Sequence, residues 1–306
     1  MNSEKKQGVN KGFLKGALAA GSIYVIYGLN SVFCKDILVD TDISPALLYA
    51  LRILGATTLM WLVGLFVKKE TIEPADRWKI IPAALLCMVV PQYATLYGLQ
   101  QSTPFDASLV STLKPILTFL IACSLGRETF KLKSLSGILL ALGGMLLLVL
   151  DTPGMDSSFR TSPAGLCLLL LNGISFSLYL VLFRPLIKRY STFTLMRWML
   201  LVATFICIPL AIPDMHVLSG IAAQGKVLSE LAFIILLATF AVYLLMPVGQ
   251  RNLSASQYSL FAYLQCIVAS VAGIAMGLDV ISWQKIAALL LFVAGISIVR
   301  SATELR

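Results

Sequence analysis

The chain is short of charge. Only 13% of its 306 residues are Asp, Glu, Lys or Arg, about half the share of an ordinary soluble domain. So few charges cannot cover the surface of a water-soluble domain of this length. Histidine occurs once, at His216, which leaves little for metal or acid/base chemistry. The six cysteines, Cys34, Cys87, Cys123, Cys167, Cys207 and Cys266, lie inside apolar runs without a CxxC pair, so neither a disulfide framework nor a zinc site is indicated. No HExxH, GxSxG or P-loop motif occurs, so metalloprotease, serine-hydrolase and directly ATP-driven functions lack their signatures. No cofactor is called for.

What the chain has is apolar residues, 58% of the total, and a mean hydropathy of +0.87, which makes lipid its solvent. A bilayer core about 30 Å thick is crossed by about 20 residues of helix. Ten windows of that kind run over about 15–35, 45–67, 80–99, 105–125, 133–150, 163–183, 192–212, 230–249, 255–277 and 283–300. The first, preceded by Lys5, Lys6, Lys11 and Lys15, imitates a signal peptide, but its apolar run is long and no A-x-A-like site follows, so it is read as retained. The predicted fold is an all-α integral membrane protein of ten transmembrane helices.

The net charge of +9 orients the chain rather than attracting nucleic acid. With the N-terminus cytoplasmic, that side holds Lys5, Lys6, Lys11, Lys15, Lys68, Lys69, Arg77, Lys79, Arg127, Lys131, Lys133, Arg184, Lys188, Arg189, Arg251, Arg300 and Arg306. The other side holds Lys35, Arg160, Lys226 and Lys285, together with Asp36, Asp40, Asp42, Asp106, Asp151, Asp156, Asp214 and Asp279. Both termini are therefore expected in the cytoplasm. The loop from about Pro213 to Ser229 contains Leu218, Ile221, Ala222 and Val227 and is expected to lie as a short interfacial helix.

The sequence repeats itself. An offset of 151 residues places Gly98 on Gly249, Ser108 on Ser259, Leu109 on Leu260, Leu113 on Leu264, Ile116 on Ile267, Gly126 on Gly277, Glu128 on Asp279 and Gly144 on Gly295. Upstream, an offset of 145 places Arg52 on Arg197. The units are a tail over 1–14, a five-helix repeat over 15–150, an external linker over 151–162, a second repeat over 163–300 and a tail over 301–306. Five spans are an odd number, so the second repeat enters the membrane from the opposite side and the halves form an inverted-topology pair.

The segment Asp106-Ala107-Ser108-Leu109-Val110-Ser111-Thr112-Leu113-Lys114-Pro115-Ile116-Leu117, then Leu125-Gly126-Arg127-Glu128 and the small-residue helix Gly137 to Gly144, resembles the EamA-type transporters of the drug/metabolite transporter superfamily. The arginine near the start of the second span and Tyr179-Leu180-Val181-Leu182-Phe183-Arg184-Pro185 are similar to that family as well. The second copy departs from the pattern with Cys266 in place of the proline and Asp279 in place of the glutamate. The resemblance implies ten spans in two five-helix repeats, alternating access around a central cavity, and movement of small metabolites, amino acids or similar solutes, often outward across a bacterial cytoplasmic membrane.

Ionisable groups deep in a span are costly and mark function first. Lys114 lies roughly 13 Å along the fourth window, at 1.5 Å per residue. Ser108, Ser111, Lys114 and Thr118 share its helical face, and Gln265 holds the equivalent place in the second half, where the pseudo-twofold would bring amide and cation together. Tyr27 with Asn30, Tyr93 with Tyr97 and Gln101, and Asn172 with Ser175 and Tyr179 make similar stripes. These are the substrate-binding candidates, and the same side chains equally serve as hydrogen bonds between helices. Arg52 and Arg197 are shallow enough to snorkel to the interface. Carboxylates are confined to loops and span ends, which disfavours proton coupling through an acid. The expected partners are a small-molecule substrate and the lipid bilayer, with a homodimer left open. A membrane enzyme would need clustered His, Asp or Glu at one depth, and a receptor or scaffold would need a sensor domain or long tail; neither is seen.

Overall fold

The computed structural model describes residues 2–67, 70–126, 132–149, 160–221, 224–252 and 261–304. Among them every regular element is a helix. Seven helices are long and apolar enough to cross a membrane: α1 (Phe13–Asp40), α2 (Pro45–Gly64), α3 (Pro74–Gln100), α4 (Pro104–Ser124), α6 (Pro163–Leu182), α7 (Thr192–Val217) and α8 (Gly225–Met246). Three more apolar helices have shorter qualifying stretches, α5 (Leu132–Val149), α9 (Ala262–Ala275) and α10 (Trp283–Glu304). Glu128, Ser259, Leu260 and most of the 151–162 linker lie outside the described residues.

Local chemistry sets the helix starts. At α2, α4 and α6 a hydroxyl residue precedes a proline. Ser44 accepts from Leu47 N–H (3.1 Å), Thr103 from Asp106 N–H (3.3 Å) and Ser162 from Gly165 N–H (2.9 Å). Proline at the first helical position forfeits only an N–H that has no partner there. Two of these helices' counterparts end alike: Gly126 after α4 and Gly277 after α9 take φ of +66° and +70°, the left-handed turn that closes a helix at low cost only in glycine. They are the same register position 151 residues apart.

The packing follows an exchange of halves. Helix α1 packs on α8 and α9, and its counterpart α6 packs on α3 and α4. The pairs that such an exchange maps onto themselves, α2 with α7, α4 with α9 and α5 with α10, also pack, and each runs antiparallel. In α2 and α7, Thr57 meets Thr204 (2.8 Å) while Gly64 lies against Arg197. In α4 and α9, Ser111 meets Gln265 while Pro104 lies against Gly273. In α5 and α10, a Cβ on Gly144 would stand 2.6 Å from the Phe292 ring, and one on Gly295 would stand 2.5 Å from the Gly137 carbonyl oxygen. Small residues let backbones approach where lipid gives no hydrophobic drive for helices to associate. The same logic pairs Gly28 with Val268 and Gly173 with Leu117, equivalent contacts under the offsets of 145 and 151. Phe205, Val271, Ile281 and Leu290 project outward and exposed.

The end of α7 and the segment after it depart from expectation. Ile212–Val217 is a 3-10 turn and Leu218–Ile221 a single helical turn, while α8 begins at Gly225 and buries Val227 in the core. Val227 therefore belongs to the bundle rather than to an interfacial helix, because α1 packs on its amphipathic stretch.

Gly277→Ala should lower stability by about 1–2 kcal/mol, the cost of a left-handed L-residue, and Gly295→Ala should lower it further by pushing the α5 and α10 backbones apart. Gly220→Ala, which meets nothing within 4 Å, should stay within about 0.5 kcal/mol of the parent. Thermal unfolding of the three purified variants in one detergent ranks them.

Candidate functional site

Helix α4 is broken at its middle. Pro115 has no N–H for the Ser111 carbonyl, and regular helix stops at Ser111 and restarts at Lys114. The Lys114 ammonium sits over the Phe176 ring of α6, 5.1 Å from its centroid. Among the described residues no carboxylate pairs with it. Thr118 and Ser177 hydroxyls, 2.9 Å apart, both reach the Lys114 carbonyl at 2.7 and 3.3 Å, tying the restarted turn to α6. Gln265 does not meet Lys114. Its amide donates to Ser111 instead, at 3.4 Å, because Lys114 turns toward α6 while α9 packs one turn nearer the start of α4. The expected pairing of cation and amide is thereby replaced by two separate contacts.

A second centre lies where α2 crosses both third helices of the repeats. Each of those helices widens into a π-helix, over Leu85–Val89 in α3 and Phe233–Ala241 in α8, a geometry that upsets the regular carbonyl pairing and recurs at functional sites. From α2, Tyr49 Oη donates to the Met88 carbonyl (2.9 Å). One turn on, Arg52 donates through Nε to Thr239 Oγ1 (2.7 Å), through Nη2 to the Ala238 carbonyl (3.4 Å) and through Nη1 to Gln92 Oε1 (3.3 Å). Arg52 is 7% exposed. It does not snorkel: the widened α8 offers it acceptors inside the bundle that cost less to reach than the interface. Arg197, its counterpart, stacks on Trp61 at 4.8 Å and Trp198 at 6.0 Å.

The remaining candidates divide. Tyr93 lies edge-on to Tyr49 at 5.2 Å, beside Gln92. Ser175 donates to the Leu86 carbonyl at 3.0 Å in the α3 π-helix, Asn172 donates to Thr95, and Tyr179 is buried between Phe176 and Phe183. Ser175 and Asn172 thus reach from α6 to α3, whereas Tyr93 faces α2. Tyr97 stacks on Tyr93 at 6.3 Å but is 40% exposed. Asn30 accepts from the Cys34 thiol (3.8 Å), and Tyr27 packs against Tyr24 at 6.3 Å. Ser31 meets Ser108 at 3.3 Å, linking α1 to the Ser111–Gln265 contact. Tyr49, Gln92, Thr239 and Phe176 went unnoticed in the sequence. Pro91, which deprives the Cys87 carbonyl of its donor, is the one local signal that α3 is irregular there.

Buried charge gathers at the end of the bundle where α1 stops and α2 starts. Lys285 pairs with Asp279, donates to Thr103 (3.1 Å) and lies 4.0 Å from Asp106, which accepts from Thr161 (2.6 Å). Asp279 also accepts the Phe105 N–H at 3.2 Å. This network crosses between the halves. Lys35 is buried too, its ammonium bonded to the last α3 carbonyls, Leu99 (2.8 Å) and Gln100 (3.0 Å), the place a helix dipole favours a cation. At the opposite end, the Glu70 carboxylate accepts from the Ser191 hydroxyl (2.6 Å) and N–H (3.1 Å), capping α7. The Ser191 and Thr194 hydroxyls hold Glu70 below the usual carboxylate range.

The geometry is two helical halves joined antiparallel, with polar contacts along the seams. Residues 14–150 and 163–301 each match the EamA-like transporter family. The chain belongs to that family. Within the drug/metabolite transporter superfamily it is similar to the uncharacterized transporter YyaM of Bacillus subtilis (strain 168), with 26% identity over 195 residues, 63% of each chain. The WAT1-related protein At1g68170 of Arabidopsis thaliana is 29% identical over 131 residues, 40% of this chain and 36% of that one. The thiamine-repressible mitochondrial transport protein THI74 of Saccharomyces cerevisiae (strain ATCC 204508 / S288c) is 30% identical over 104 residues, 33% of this chain and 28% of that one. The chain thus spans less than two thirds of these relatives' own lengths. A solved crystal structure matches 96% of this chain and 97% of its own at a TM-score of 0.64 and 17% identity, which speaks for the fold. As an EamA-like protein the chain is a multi-pass membrane protein of a transporter family.

Arg52→Ala would strip a charged donor from Thr239, Ala238 and Gln92, and should cost about 2–3 kcal/mol, read as a lowered unfolding temperature in detergent. Glu70 titrates lower in the folded chain than an unfolded glutamate, about 4.3. Its cap therefore contributes in full above that pH and is lost as pH falls through the folded value. Comparing unfolding temperatures of the parent and Glu70→Gln should show a gap at neutral pH that closes in acid.

Proposed function

We propose that this EamA-like protein moves small organic solutes out of the cell, amino acids or similar metabolites, by alternating access between two oppositely oriented five-helix halves, with ten spans and both termini in the cytoplasm. The observation that carries this reading is Lys114, a cation at the break of α4, half-buried against an aromatic ring and paired with no carboxylate among the described residues. An ammonium in that setting attracts an anionic ligand group, and the adjacent Phe176 and Tyr179 rings suit an apolar substrate body. Supporting the topology are the antiparallel self-pairs and the basic residues clustered in alternate loops.

The test is uptake of a labelled amino-acid mixture by the purified protein in proteoliposomes. Lys114→Ala should lower uptake at least tenfold at subsaturating concentration, the equivalent of about 1.4 kcal/mol of lost charge-assisted contact, and Lys114→Arg should retain more activity than alanine. Equal uptake by all three would remove Lys114 from the solute path.

A further inference from the structure

Arg52 and Arg197 hold corresponding places in the two halves, and Arg52 is supplied with acceptors. Around Arg197 the polar neighbours are donors instead. Its guanidinium lies over the Trp61 ring at 4.8 Å and the Trp198 ring at 6.0 Å, and the two indoles meet edge to face at 5.4 Å and 82°. Guanidinium and indole nitrogens donate and cannot accept. Arg197 Nε and the Nε1 of both tryptophans are buried and meet no acceptor among the described residues. A stacked cation does not relieve an indole N–H, which lies in the plane of the ring, and a ring edge against a ring face is a weak substitute for an acceptor.

The acids at this end of the bundle are engaged elsewhere. Glu70 caps α7 through Ser191. Asp76 is held by Lys79 at 2.7 Å, Arg189 at 2.8 Å and Tyr190 at 2.9 Å, and Glu73 pairs with Arg189 at 3.0 Å. The missing acceptors therefore come from outside the chain, as water or as a bound anion, and the surroundings favour the anion. Arg197 stands roughly 8 Å into α7 at 1.5 Å per residue, and Trp61 is near the end of α2, the level at which lipid headgroups meet indole rings. All three side chains are partly exposed. About two turns deeper, on the faces that carry Trp61 and Trp198, Leu54 and Phe205 are 45% and 73% exposed, an apolar track below a cationic mouth. Arg77, Lys79, Arg184, Lys188 and Arg189 belong to the same end and draw a ligand of net negative charge.

We infer that the end of the α2–α7 seam holding Arg197 binds an anionic phospholipid. Arg197 donates through its fork to the headgroup phosphate, Trp61 and Trp198 turn their N–H groups onto the same oxygens, and an acyl chain lies along Leu54 and Phe205. Because Trp61 belongs to the first half and Arg197 with Trp198 to the second, the headgroup bridges the halves. The site needs a bilayer but no solute, so it stands apart from the transport reading above.

The purified full chain in detergent is titrated with dioleoylphosphatidylglycerol, dioleoylphosphatidylcholine or inorganic phosphate while its unfolding temperature is followed, since a ligand of the folded state raises that temperature with a dependence that reports affinity. Phosphatidylglycerol should act at a concentration about tenfold below phosphatidylcholine, and inorganic phosphate should leave the temperature unchanged. Arg197→Ala should raise the phosphatidylglycerol concentration needed for half the effect by about tenfold. Arg197→Lys, which keeps the charge but not the fork, should raise it less. Trp198→Phe, which keeps a ring but not the N–H, should raise it about threefold. Lys188→Ala, which removes an exposed cation of the same end, should respond as the parent does. If Arg197→Ala fails to fold, Arg197→Lys and Trp198→Phe carry the test. An unchanged phosphatidylglycerol response in Arg197→Ala, or in Arg197→Lys and Trp198→Phe together, overturns the site, and so does an equal loss in Lys188→Ala. Equal responses of the parent to the two lipids overturn the anionic class. A shift by inorganic phosphate that abolishes the lipid response overturns the lipid as occupant in favour of a free anion.

Discussion

In hydrocarbon every backbone N–H and C=O must find its partner within the chain, so spanning segments are helices and polar side chains can gather only where helices face one another. The polar contacts between helices follow that restriction. The seams between the halves hold the broken turn at Lys114, the Arg52 clasp and the buried charges, while the outward surfaces of α7, α9 and α10 carry Phe205, Val271 and Leu290. Helix irregularities add a second source of polarity. Where α4 breaks and where α3 and α8 widen, carbonyls lose their usual donors, and side chains from neighbouring helices supply them.

The exchange of halves explains why those irregularities meet. Because α2 lies antiparallel to α7 and beside the third helices of both repeats, one helix can bond the two π-helices at once, Tyr49 to α3 and Arg52 to α8. The halves then diverge in detail. Arg52 is bonded to backbone and side-chain oxygens, whereas its counterpart Arg197 rests on two indole rings. Duplicated scaffolds with unlike side chains give a near-symmetric frame and an asymmetric interior. The two ends differ likewise, with the Asp106–Asp279–Lys285 network buried at one and the more exposed Glu70–Ser191 cap at the other.

Much of the fold was legible. Apolar runs marked the helices, because a membrane helix must be apolar nearly all round, and glycines in register marked the repeat, because Gly126 and Gly277 need a left-handed turn and Gly144 and Gly295 a close backbone. Lys114 stood out as a cation with no apparent escape to water. Its neighbour was not legible: an offset in sequence shows which positions correspond, not which touch, and correspondence had suggested Gln265 where packing supplies Phe176. Arg52 was misjudged for a related reason, since its depth along a helix says nothing about acceptors that a π-helix on another helix will expose.

By itself, then, the amino-acid sequence determined the solvent, the helical class, the duplication and the family, since each depends on hydropathy or spacing along one strand of chain. Tertiary structure alone decided which polar groups share a seam, where α1 and α8 truly end, and that Asp36 and Glu230 are buried. The physical reason is that the cost of a charge depends on what surrounds it in three dimensions. Arg52 finds Thr239, 187 residues further along the chain, only when antiparallel halves press their helices together.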